Sequence, residues 1–503
     1  MKFDPEWKAE VTDYRPRLPF YQHQAQAFLQ SRDEEAFAYL CGLGSGKSSL
    51  GVNVAGWLFE TGKIDACAII APNGVHRQWI NQQIPEHLPD RIPRISAYWS
   101  ANARKAEKEA LEALWEPADA VRFLAMNVEG FSTDKPKNYL NKFLGLFRTL
   151  LIVDESTRIA TPGAKRTKAI LNLSKKAPYR RILTGQPIPN GPLNFYSQYK
   201  FLDPEILGIR TYSAFKHTYA DWEERKTNYN SKGTFSKLVN YKNLDDLQKR
   251  IDPYTFRVRT EECVDLPSKV YETREVELGS SQRRVYQDLI NEGVAALVDE
   301  QGEKQAPEDA LLAMLMNEVP TVEVNNALTL LLRCQQVLGN WAVDNDGNMH
   351  QIEKTNRRLN TLLETLQEVD GQTIVWARFR HELAEIEEAL DKQGYTVVSY
   401  HGGVDSQQRQ EAVEKFQNGE AQIFLGNPQA GGIGLNLTAA TVMIFYSSDF
   451  SLDTREQAEA RFYRIGSDKP VTIVDLVAPG TVDTRIAEAL QSKAQTAKEV
   501  LDG

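Results

Sequence analysis

The stretch "AFAYLCGLGSGKSSLGVNVAGWLFE", residues 36–60, decides how the rest of the chain is interpreted. An apolar run, a glycine-rich turn and a helix-like run follow one another, which predicts strand, turn and helix. Glycines permit positive φ angles and close approach of the backbone, and the N–H groups at a helix N-terminus attract anions. We therefore expect Gly42, Gly44, Ser45 and Gly46 to form a loop that binds phosphate.

The three residues after these glycines carry the side chains that such a loop needs. Lys47 is expected to reach the β- and γ-phosphate oxygens and Ser48 to hold Mg²⁺, with Ser49 also lining the nucleotide. Cys41 stands six positions before the lysine, where a phosphate loop usually begins with glycine. The alternative interpretation is a glycine-rich turn followed by a solvated lysine.

An acidic pair lies at the end of a second apolar run, "TLLIVDEST", residues 149–157. Ligands bind at the carboxyl ends of strands in open α/β sheets, so this position favours a catalytic role over a solvated one. Asp154 is expected to bind Mg²⁺, directly or through water. Glu155 is expected to orient and deprotonate the attacking water.

Strand-like and helix-like runs alternate in two separate regions, which predicts an α/β protein with two parallel-sheet lobes. The first region contains "ACAIIAP", "RFLAMN", "TLLIVDE" and "RRILTGQ", and the second contains "TIVWA", "TVVSYHG", "AQIFLGN", "TVMIFYSS" and "VTIVDLV". We expect a first lobe over residues 1–265 and a second over 266–503. Helical insertions are predicted at about 205–265 and 266–356.

Composition narrows the class of protein. A chain of 503 residues that is 42% hydrophobic can bury a large core, and its apolar runs are shorter than the ~20 residues of a membrane span. Four scattered cysteines suggest neither disulfides nor a zinc site. The net charge of −9 argues against a non-specific polyanion binder but permits a local basic groove. We expect a cytoplasmic, monomeric protein without a membrane partner.

The order and wording of the motifs resemble the Swi/Snf-type ATPases of helicase superfamily two, the chromatin-remodeller-like translocases of double-stranded DNA. In that superfamily the loop reads A-x-x-G-x-G-K-[ST], so Cys41 replaces a small alanine. The resemblance implies two RecA-like lobes, ATP and Mg²⁺ as cofactors, and double-stranded DNA as partner. "YQHQAQAFL" resembles the glutamine motif, with Gln24, or alternatively Gln22, reading adenine.

Six further segments carry the resemblance through most of the chain. They are "IIAPNGVHRQW" (motif Ia), "LTGQPIPNGPLNFYSQYKFLDP" (motif III), "FRVRTEECVDLPSKVYE" (the interlobe segment), "TIVWARF" (motif IV), "NPQAGGIGLNLTAA" (motif V, with Gly432 at the nucleotide) and "EQAEARFYRIG" (motif VI). Two departures put coupling efficiency in question. Thr157 replaces the histidine that connects hydrolysis to motif III in relatives, and "FSLD" replaces a Trp-Asn-Pro stretch before motif VI.

Motif VI is expected to complete the active site from the second lobe. On a helix, Gln457, Arg461 and Arg464 project from one face, because they lie at positions i, i+4 and i+7. The family places that face in the cleft between the lobes, where the two arginines would meet the γ-phosphate as arginine fingers. The alternative is a solvated basic helix face.

Residues that grip DNA are harder to select from sequence. Contacts with phosphates would give affinity without sequence information, and each candidate could also be a solvated surface residue. The candidates are Arg77, Lys165, Arg166, Lys168, Arg378, Arg380 and Asn436. The three that follow motif II, at 165, 166 and 168, are the preferred set.

The favoured function is an ATP-driven motor on double-stranded DNA that remodels protein–DNA complexes or branched DNA. One alternative is a strand-separating DNA or RNA helicase. The other is a nucleotide-gated DNA-binding scaffold without turnover, although Glu155 and both motif VI arginines are present. The compact chain suggests a bacterial or viral member of the family.

Overall fold

A computed structural model shows how these segments are arranged. It describes residues 8–9, 11–226, 234–263, 267–295, 323–344, 346–429, 435–463 and 469–502.

The first half of the chain is built on a seven-stranded, fully parallel sheet with the strand order β11-β3-β8-β7-β4-β6-β5. Its strands are β3 (Ala36–Cys41), β4 (Ala66–Ala71), β5 (Arg94–Tyr98), β6 (Val121–Asn127), β7 (Thr149–Asp154), β8 (Tyr179–Thr184) and β11 (Thr255–Val258). The sheet is apolar on both faces, since Leu151 and Val153 of β7 enter one buried cluster while Leu150 and Ile152 enter another. This pattern explains the uninterrupted apolar runs in the sequence.

Helices cover both faces of this sheet. They are Gln22–Ser31, Lys47–Glu60, Val75–Gln78, Ile84–His87, Lys105–Ala113, Asp134–Leu146, Lys165–Ser174, Phe195–Leu202, Pro204–Leu207, Tyr212–Tyr219, Leu244–Ile251 and Thr260–Cys263. A π-helical turn spans Trp79–Gln83, and 3₁₀ turns span Val128–Ser132, Ser156–Ile159, Pro192–Asn194 and Asp252–Tyr254. A two-stranded pair, β1 (Lys8–Ala9) with β2 (Phe20–Tyr21), precedes them.

The second half contains a six-stranded parallel sheet with the order β12-β19-β18-β15-β17-β16. Its strands are β12 (Lys269–Glu275), β15 (Thr373–Trp376), β16 (Val397–Tyr400), β17 (Ile423–Gly426), β18 (Val442–Phe445) and β19 (Val471–Val477). The helices are Ser280–Ala295, Glu323–Leu338, Arg357–Gln367, Arg380–Lys392, Ser406–Gln417, Leu452–Glu459 and Val482–Asp502. A short antiparallel hairpin, β13 (Trp341–Val343) with β14 (Met349–Gln351), lies between the helices Glu323–Leu338 and Arg357–Gln367.

The prediction of an α/β protein with two parallel sheets is confirmed, and each apolar run named above forms a strand. The prediction of two helical insertions was wrong in part. The one at about 266–356 contains β12 and the β13–β14 hairpin. The one at about 205–265 is not purely helical either. It contains an antiparallel hairpin of β9 (Ala220–Lys226) and β10 (Thr234–Tyr241). The run "TFSKLVNY" is rich in β-branched and aromatic residues, which favour strand over helix.

The expected boundary at 265/266 falls between the two sheets. The first sheet uses residues up to Val258 and the second begins at Lys269, while positions 264–266 lie outside the described residues. The limits of the two lobes therefore stay a prediction. Within the described part of the chain, every helix is too short or too polar to cross a membrane.

Candidate functional site

The glycine-rich loop joins β3 to the helix Lys47–Glu60, and its glycines serve two different needs. Gly44 and Gly46 have φ angles of 79° and 84°, in the left-handed region that glycine tolerates. Gly42 needs space instead, because an added Cβ would lie 2.3 Å from Thr260 Oγ1. Two of the three glycines thus adopt the positive φ angle that glycine permits, and the third allows the close backbone approach.

The interlobe segment holds this loop in place. The Gly42 amide donates to the Val258 carbonyl over 2.8 Å, and Thr260 Oγ1 donates to the Leu43 carbonyl over 2.9 Å. Residues about 217 positions apart in sequence therefore fix the loop. Sequence reasoning missed Thr260, because nothing in the wording of the segment indicates which strand it will join.

Lys47 lies buried inside the loop. Its Nζ donates to the Cys41 and Gly42 carbonyls over 2.8 and 3.1 Å. An added Cβ on Gly185, at the start of motif III, would lie 3.3 Å from the same nitrogen. The ammonium is thus poised where the loop, the strand end and motif III meet.

The glutamine motif contacts the loop directly. Gln24 Nε2 donates to the Ser45 carbonyl over 3.2 Å, and His23 Nε2 lies 2.8 Å from the same oxygen. Ser45 Oγ turns inward and donates to the Gly42 carbonyl over 2.7 Å. Gln24 is buried, whereas Gln22 is partly exposed at the first position of its helix. The structure therefore puts the preferred glutamine of the sequence analysis next to the loop.

The two serines after Lys47 face different surroundings. Ser48 is partly exposed, and no protein group in the described residues hydrogen-bonds its hydroxyl. Ser49 is buried and its Oγ lies 3.4 Å from Asn53 Nδ2, a donor that also reaches the Ser49 carbonyl over 2.8 Å. Ser48 is accordingly available to a ligand, while Ser49 is engaged within its own helix.

The acidic pair sits at the carboxyl end of β7, at the edge of the sheet where the loop also lies. Asp154 Oδ2 accepts a hydrogen bond from Trp79 Nε1 over 2.8 Å, and Asp154 Oδ1 accepts one from the Glu155 amide over 3.0 Å. Burial raises the pKa of both carboxyls, and the nearby Lys47 charge opposes that rise. A raised pKa suits a group that must accept a proton near neutral pH.

Glu155 also has a strained backbone. Its φ angle of 48° places a non-glycine residue in the left-handed region, at a cost of about 1–3 kcal/mol. The conformation ends β7 abruptly and starts the 3₁₀ turn Ser156–Ile159. Such outliers concentrate at functional sites, which agrees with the catalytic role predicted for this residue.

A direct link connects motif II with motif III despite the loss of the family histidine. Ser156 Oγ donates to Gln198 Oε1 over 2.5 Å, and Gln198 Nε2 donates to the Pro187 carbonyl over 2.6 Å. Both side chains are fully buried. The Thr157 hydroxyl, which stands in the histidine position, is buried without a partner among the described residues. The link therefore runs one residue earlier than the sequence suggested.

The donor set near the loop fits a magnesium ion that is held mainly by nucleotide. Mg²⁺ usually takes one or two protein oxygens together with phosphates and waters. Ser48 and Asp154 would supply such oxygens. In the described residues no cluster of three or more acidic, histidine or cysteine side chains could hold a metal alone.

The second lobe corrects the expected geometry of motif VI. The helix that was to carry Gln457, Arg461 and Arg464 on one face spans only Leu452–Glu459. Gln457 Nε2 donates to Asp453 Oδ1 over 2.8 Å. The spacing argument fails because Ala460 caps the helix before the first arginine is reached.

Arg461 lies inside its own lobe. Its guanidinium is 5.0 Å from the centre of the Trp376 ring, and Nη2 donates to the Pro428 carbonyl over 2.8 Å. Burial lowers the pKa of Arg461 to about 10. Arg464 and Gly432, the other second-lobe candidates, lie outside the described residues.

Two second-lobe side chains nevertheless approach the first lobe. Burial, with a smaller contribution from the negative charge of Asp453, raises the pKa of Glu155. Burial also raises the pKa of Asp453, and the nearby Arg158 charge opposes that rise. On the C-terminal helix, Lys493 Nζ donates to the Phe450 carbonyl over 2.8 Å and lies 3.5 Å from Asn190 Oδ1 of motif III. The two lobes thus face each other across the predicted site.

Some of the predicted DNA-binding residues are exposed, and others form hydrogen bonds within the protein. The exposed ones are Arg77, Lys165, Lys168, Arg380 and Asn436. Arg166 is half-buried and its Nε donates to the Arg158 carbonyl over 3.0 Å. Arg378 turns inward to Gln335 Oε1, and burial lowers its pKa. Only the exposed group is immediately accessible to a DNA backbone.

Comparison with known protein families identifies two domains in this chain. The model of the SNF2-related domain matches residues 21–325, more than half of the chain, and the helicase conserved C-terminal domain matches residues 354–466. The second match includes the segments named motifs IV, V and VI above. The first includes the loop, the acidic pair and motif III.

Proteins from several organisms are similar to this chain at low sequence identity. A mouse protein, chromodomain-helicase-DNA-binding protein 1-like, is 24% identical over 71% of this chain and 36% of its own length. An uncharacterised ATP-dependent helicase of Mycoplasma genitalium is 26% identical over 70% of this chain and 30% of its own. The chain thus spans about a third of the length of these relatives.

A solved structure of similar extent is the Sulfolobus solfataricus SWI2/SNF2 ATPase core in complex with double-stranded DNA. It has 20% identity and a TM-score of 0.41, with 98% of this chain and 94% of that chain covered. The family assignment does not depend on this likeness, since it follows from the match over residues 21–325. The chain belongs to the SNF2-related family of helicase-like ATPases, and each of its two lobes is built on a parallel sheet.

Proposed function

We propose that this protein is an ATP-dependent translocase on double-stranded DNA, which remodels protein–DNA complexes or branched DNA. The observation that carries the proposal is the convergence of Lys47, Asp154 and Glu155 at one edge of the first sheet, where the charge of Asp453 of the second lobe also acts on Glu155. Each lobe contributes to the surroundings of a single site. Movement of one lobe relative to the other is then tied to the state of the nucleotide.

Each residue of the first lobe has a defined task in this proposal. The loop amides and Lys47 bind the phosphates, while Ser48 and Asp154 provide oxygens for Mg²⁺, which would neutralise charge on the phosphates when bound. Glu155 accepts the proton of the attacking water. Its buried position and raised pKa support that task.

The contact from Ser156 to Gln198 supports a connection between hydrolysis and motif III. Ser156 directly follows Glu155, so a change in the position of Glu155 would act first on Ser156. The hydrogen bonds from Ser156 to Gln198, and from Gln198 to the Pro187 carbonyl, would then pass the change to motif III. Because motif III also carries Asn190, which lies near Lys493 of the second lobe, the connection extends to the opposite side of the cleft. This chain of contacts gives a route for coupling between the lobes.

Exposed basic residues support grip on a phosphate backbone. Lys165 and Lys168 lie on the helix after motif II, and Arg77 lies in motif Ia, with its guanidinium 5.2 Å from the centre of the Tyr98 ring. Contacts of this kind hold DNA regardless of its sequence. They suit a motor that must move along any duplex.

The decisive experiment measures the ATPase rate without nucleic acid and then with duplex DNA, single-stranded DNA, branched DNA and RNA. We expect duplex or branched DNA to stimulate most, and the protein to displace a triplex-forming strand while it unwinds a plain duplex poorly. Stimulation by RNA alone would contradict the translocase proposal. Efficient duplex unwinding would favour a strand-separating helicase instead.

The grip is tested by Lys165→Ala and Lys168→Ala. Each change should lower duplex affinity irrespective of sequence and reduce the slope of log K against log salt by about 1. Lys105→Ala, at an exposed lysine on a different helix of the same lobe, is the matched control. An equal effect of all three changes would remove the helix after motif II from the interface.

A further inference from the structure

One side chain outside the predicted catalytic set contacts the metal-binding carboxylate directly. Trp79, the last residue of motif Ia, donates its indole N–H to Asp154 Oδ2 over 2.8 Å across 75 positions of sequence. The ring is almost fully buried. Since the Glu155 amide holds the other oxygen, both oxygens of Asp154 have a fixed donor.

The surrounding structure keeps the indole in this position. An added Cβ on Gly51, in the helix that follows the phosphate loop, would lie 3.2 Å from Trp79 Cη2 and 3.3 Å from Ile152 Cδ1 of β7. The ring therefore fits between the loop helix and the strand that carries Asp154. A glycine at position 51 is what leaves room for it.

The backbone at this residue is also unusual. Trp79 opens a π-helical turn, Trp79–Gln83, immediately after the helix Val75–Gln78. π-Helical turns are rare and are found frequently at functional sites. The indole that opens this turn reaches the end of β7, while Arg77, two residues earlier, is exposed.

An aspartate carboxylate rotates easily about its last torsion, since that torsion has no sharp minima. A donor on each oxygen restricts this rotation and presents the remaining lone pairs in one direction. Outer partners of metal ligands have this effect in metal sites generally, and their loss weakens metal affinity by about 10–100-fold.

We propose that Trp79 is a positioning residue, which orients the Asp154 carboxylate toward the Mg²⁺ of the bound nucleotide and makes the metal site depend on motif Ia. The proposal rests on the proposed function, because it assumes that Asp154 is a metal ligand. A purely structural alternative is that a buried indole N–H needs any acceptor. The two accounts differ in what removal of the N–H does to metal binding.

The test uses Trp79→Phe in the full chain and measures binding of Mn²⁺, detected by its spin resonance, in the presence of a non-hydrolysable ATP analogue. We expect Mn²⁺ affinity to fall about tenfold or more, while the affinity for the analogue in EDTA changes less than about twofold. The Mg²⁺ concentration for half-maximal ATPase should rise by a similar factor. Unchanged Mn²⁺ affinity in a folded variant would overturn the proposal.

Trp57→Phe is the matched control. Trp57 lies in the helix Lys47–Glu60 and donates its indole N–H to Asp33 Oδ1 over 3.0 Å, at the surface and away from the loop. It should leave Mn²⁺ affinity unchanged. A loss equal to that of Trp79→Phe would indicate a general effect of removing an indole and would overturn the specific role.

A double-mutant cycle separates positioning from general destabilisation. In the Asp154→Ala background, Trp79→Phe should weaken Mn²⁺ binding no further, because the group that it orients is gone. A full additional loss would overturn the proposal. If wild-type protein binds no Mn²⁺ with the analogue, the proposed function itself fails, which this design distinguishes from failure of Trp79 alone.

If Trp79→Phe does not fold, the contact can be tested with ¹⁵N-labelled indoles in wild-type and Asp154→Ala protein. We expect one indole proton that is protected from exchange in the wild type to exchange rapidly in the variant. Identical protection of every indole proton in the two proteins would overturn the proposal.

Discussion

The two lobes differ in how their charged groups are held. In the first lobe, the ammonium of Lys47 and the carboxylate of Asp154 are buried at the edge of the sheet and hydrogen-bonded by groups of the same lobe. In the second lobe, the motif VI helix ends at Glu459, and Arg461 packs against Trp376 of its own sheet. The first lobe thus presents a formed half-site, whereas Arg461 supports the core of the second.

From this difference we predict separate tasks for the two motif VI arginines. Near Glu155, the charge that the helix Leu452–Glu459 brings is the negative one of Asp453. This helix therefore does not supply the positive charge that an arginine finger would bring to the site. Arg464 is the remaining candidate of the pair.

The largest expected effect concerns the formed half-site. Glu155→Gln should lower kcat by about 10²–10⁴-fold, because the group proposed to accept the proton of water is lost while the fold of the loop is kept. Nucleotide binding, measured with a fluorescent ATP analogue, should stay within a few-fold of wild type. Near-normal turnover would exclude Glu155 as the base.

Lys47→Ala gives the contrasting result on the same half-site. It should weaken binding of the analogue strongly, since the phosphate contact itself is removed. If both variants lost binding equally, the division between Lys47 and Glu155 would have to be given up.

The next effect separates the two arginines. Arg464→Ala should lower kcat by at least about 10²-fold with little change in nucleotide affinity or stability, as expected for an arginine finger. Arg464→Lys should not restore the rate, because an ammonium lacks the planar set of donors. DNA binding without ATP should survive in both variants.

Arg461→Ala should act differently, by destabilising the second lobe. It removes the cation above Trp376 and leaves the Pro428 carbonyl without this donor, which we expect to speed hydrogen exchange in β15 and β17.

If instead Arg464→Ala kept full DNA-stimulated turnover, or lost ATPase and DNA binding together, the cleft mechanism would be wrong.

Local sequence patterns were sufficient to predict much of the structure of both lobes. Uninterrupted apolar runs predicted the strands of both sheets, and the glycine spacing predicted the loop and its lysine. The prediction that one helix carries all of motif VI was wrong, because helical spacing does not show where a helix ends. The helix ends at Glu459 and Ala460 is its C-cap. The hairpin of β9 and β10 was missed because the segment was interpreted from its charge rather than from its β-branched residues.

The contacts that organise the site could not be predicted in the same way. Trp79 meets Asp154 across 75 positions, and Ser156 meets Gln198 across 42. Neither pair shares an element, so no periodicity relates them. Only the order of strands in the sheet brings them together.

A smaller effect is expected at the link between motifs II and III. Ser156→Ala removes the donor to Gln198 Oε1, and a buried hydrogen bond contributes about 1 kcal/mol, or a factor of roughly five. We expect the stimulation of ATPase by duplex DNA to fall by about that factor, while the basal rate changes less. The measurement is the ratio of the two rates.

Ser197→Ala is the control for this link. Ser197 is equally buried on the same helix as Gln198, and its hydroxyl has no hydrogen-bond partner among the described residues. Its removal should leave the stimulation unchanged. Equal effects of the two changes would mean that helix packing, rather than the link to Ser156, sets the stimulation.

The smallest expected effect is a pH dependence in the second lobe. Glu382 lies fully buried below motif IV, where burial raises the pKa of its carboxyl to about 7, although Ser447 Oγ donates to it over 2.6 Å. The ordinary pKa is 4.5. Between these values the folded lobe binds the proton more strongly than the unfolded chain does, so stability should fall as pH rises from about 4.5 to about 7.

Glu382→Gln should remove this decline, because an amide does not titrate over that range. Hydrogen exchange of β15 at pH 5 and pH 8 measures it, with the exposed Glu388→Gln on the same helix as control. The pH dependence of hydrogen exchange in the first lobe should be the same in wild type and variant, since Glu382 is buried in the second lobe. If β15 in Glu382→Gln kept the full pH dependence of the wild type, the buried carboxyl would not be its source, and the second lobe would owe its pH response to another group.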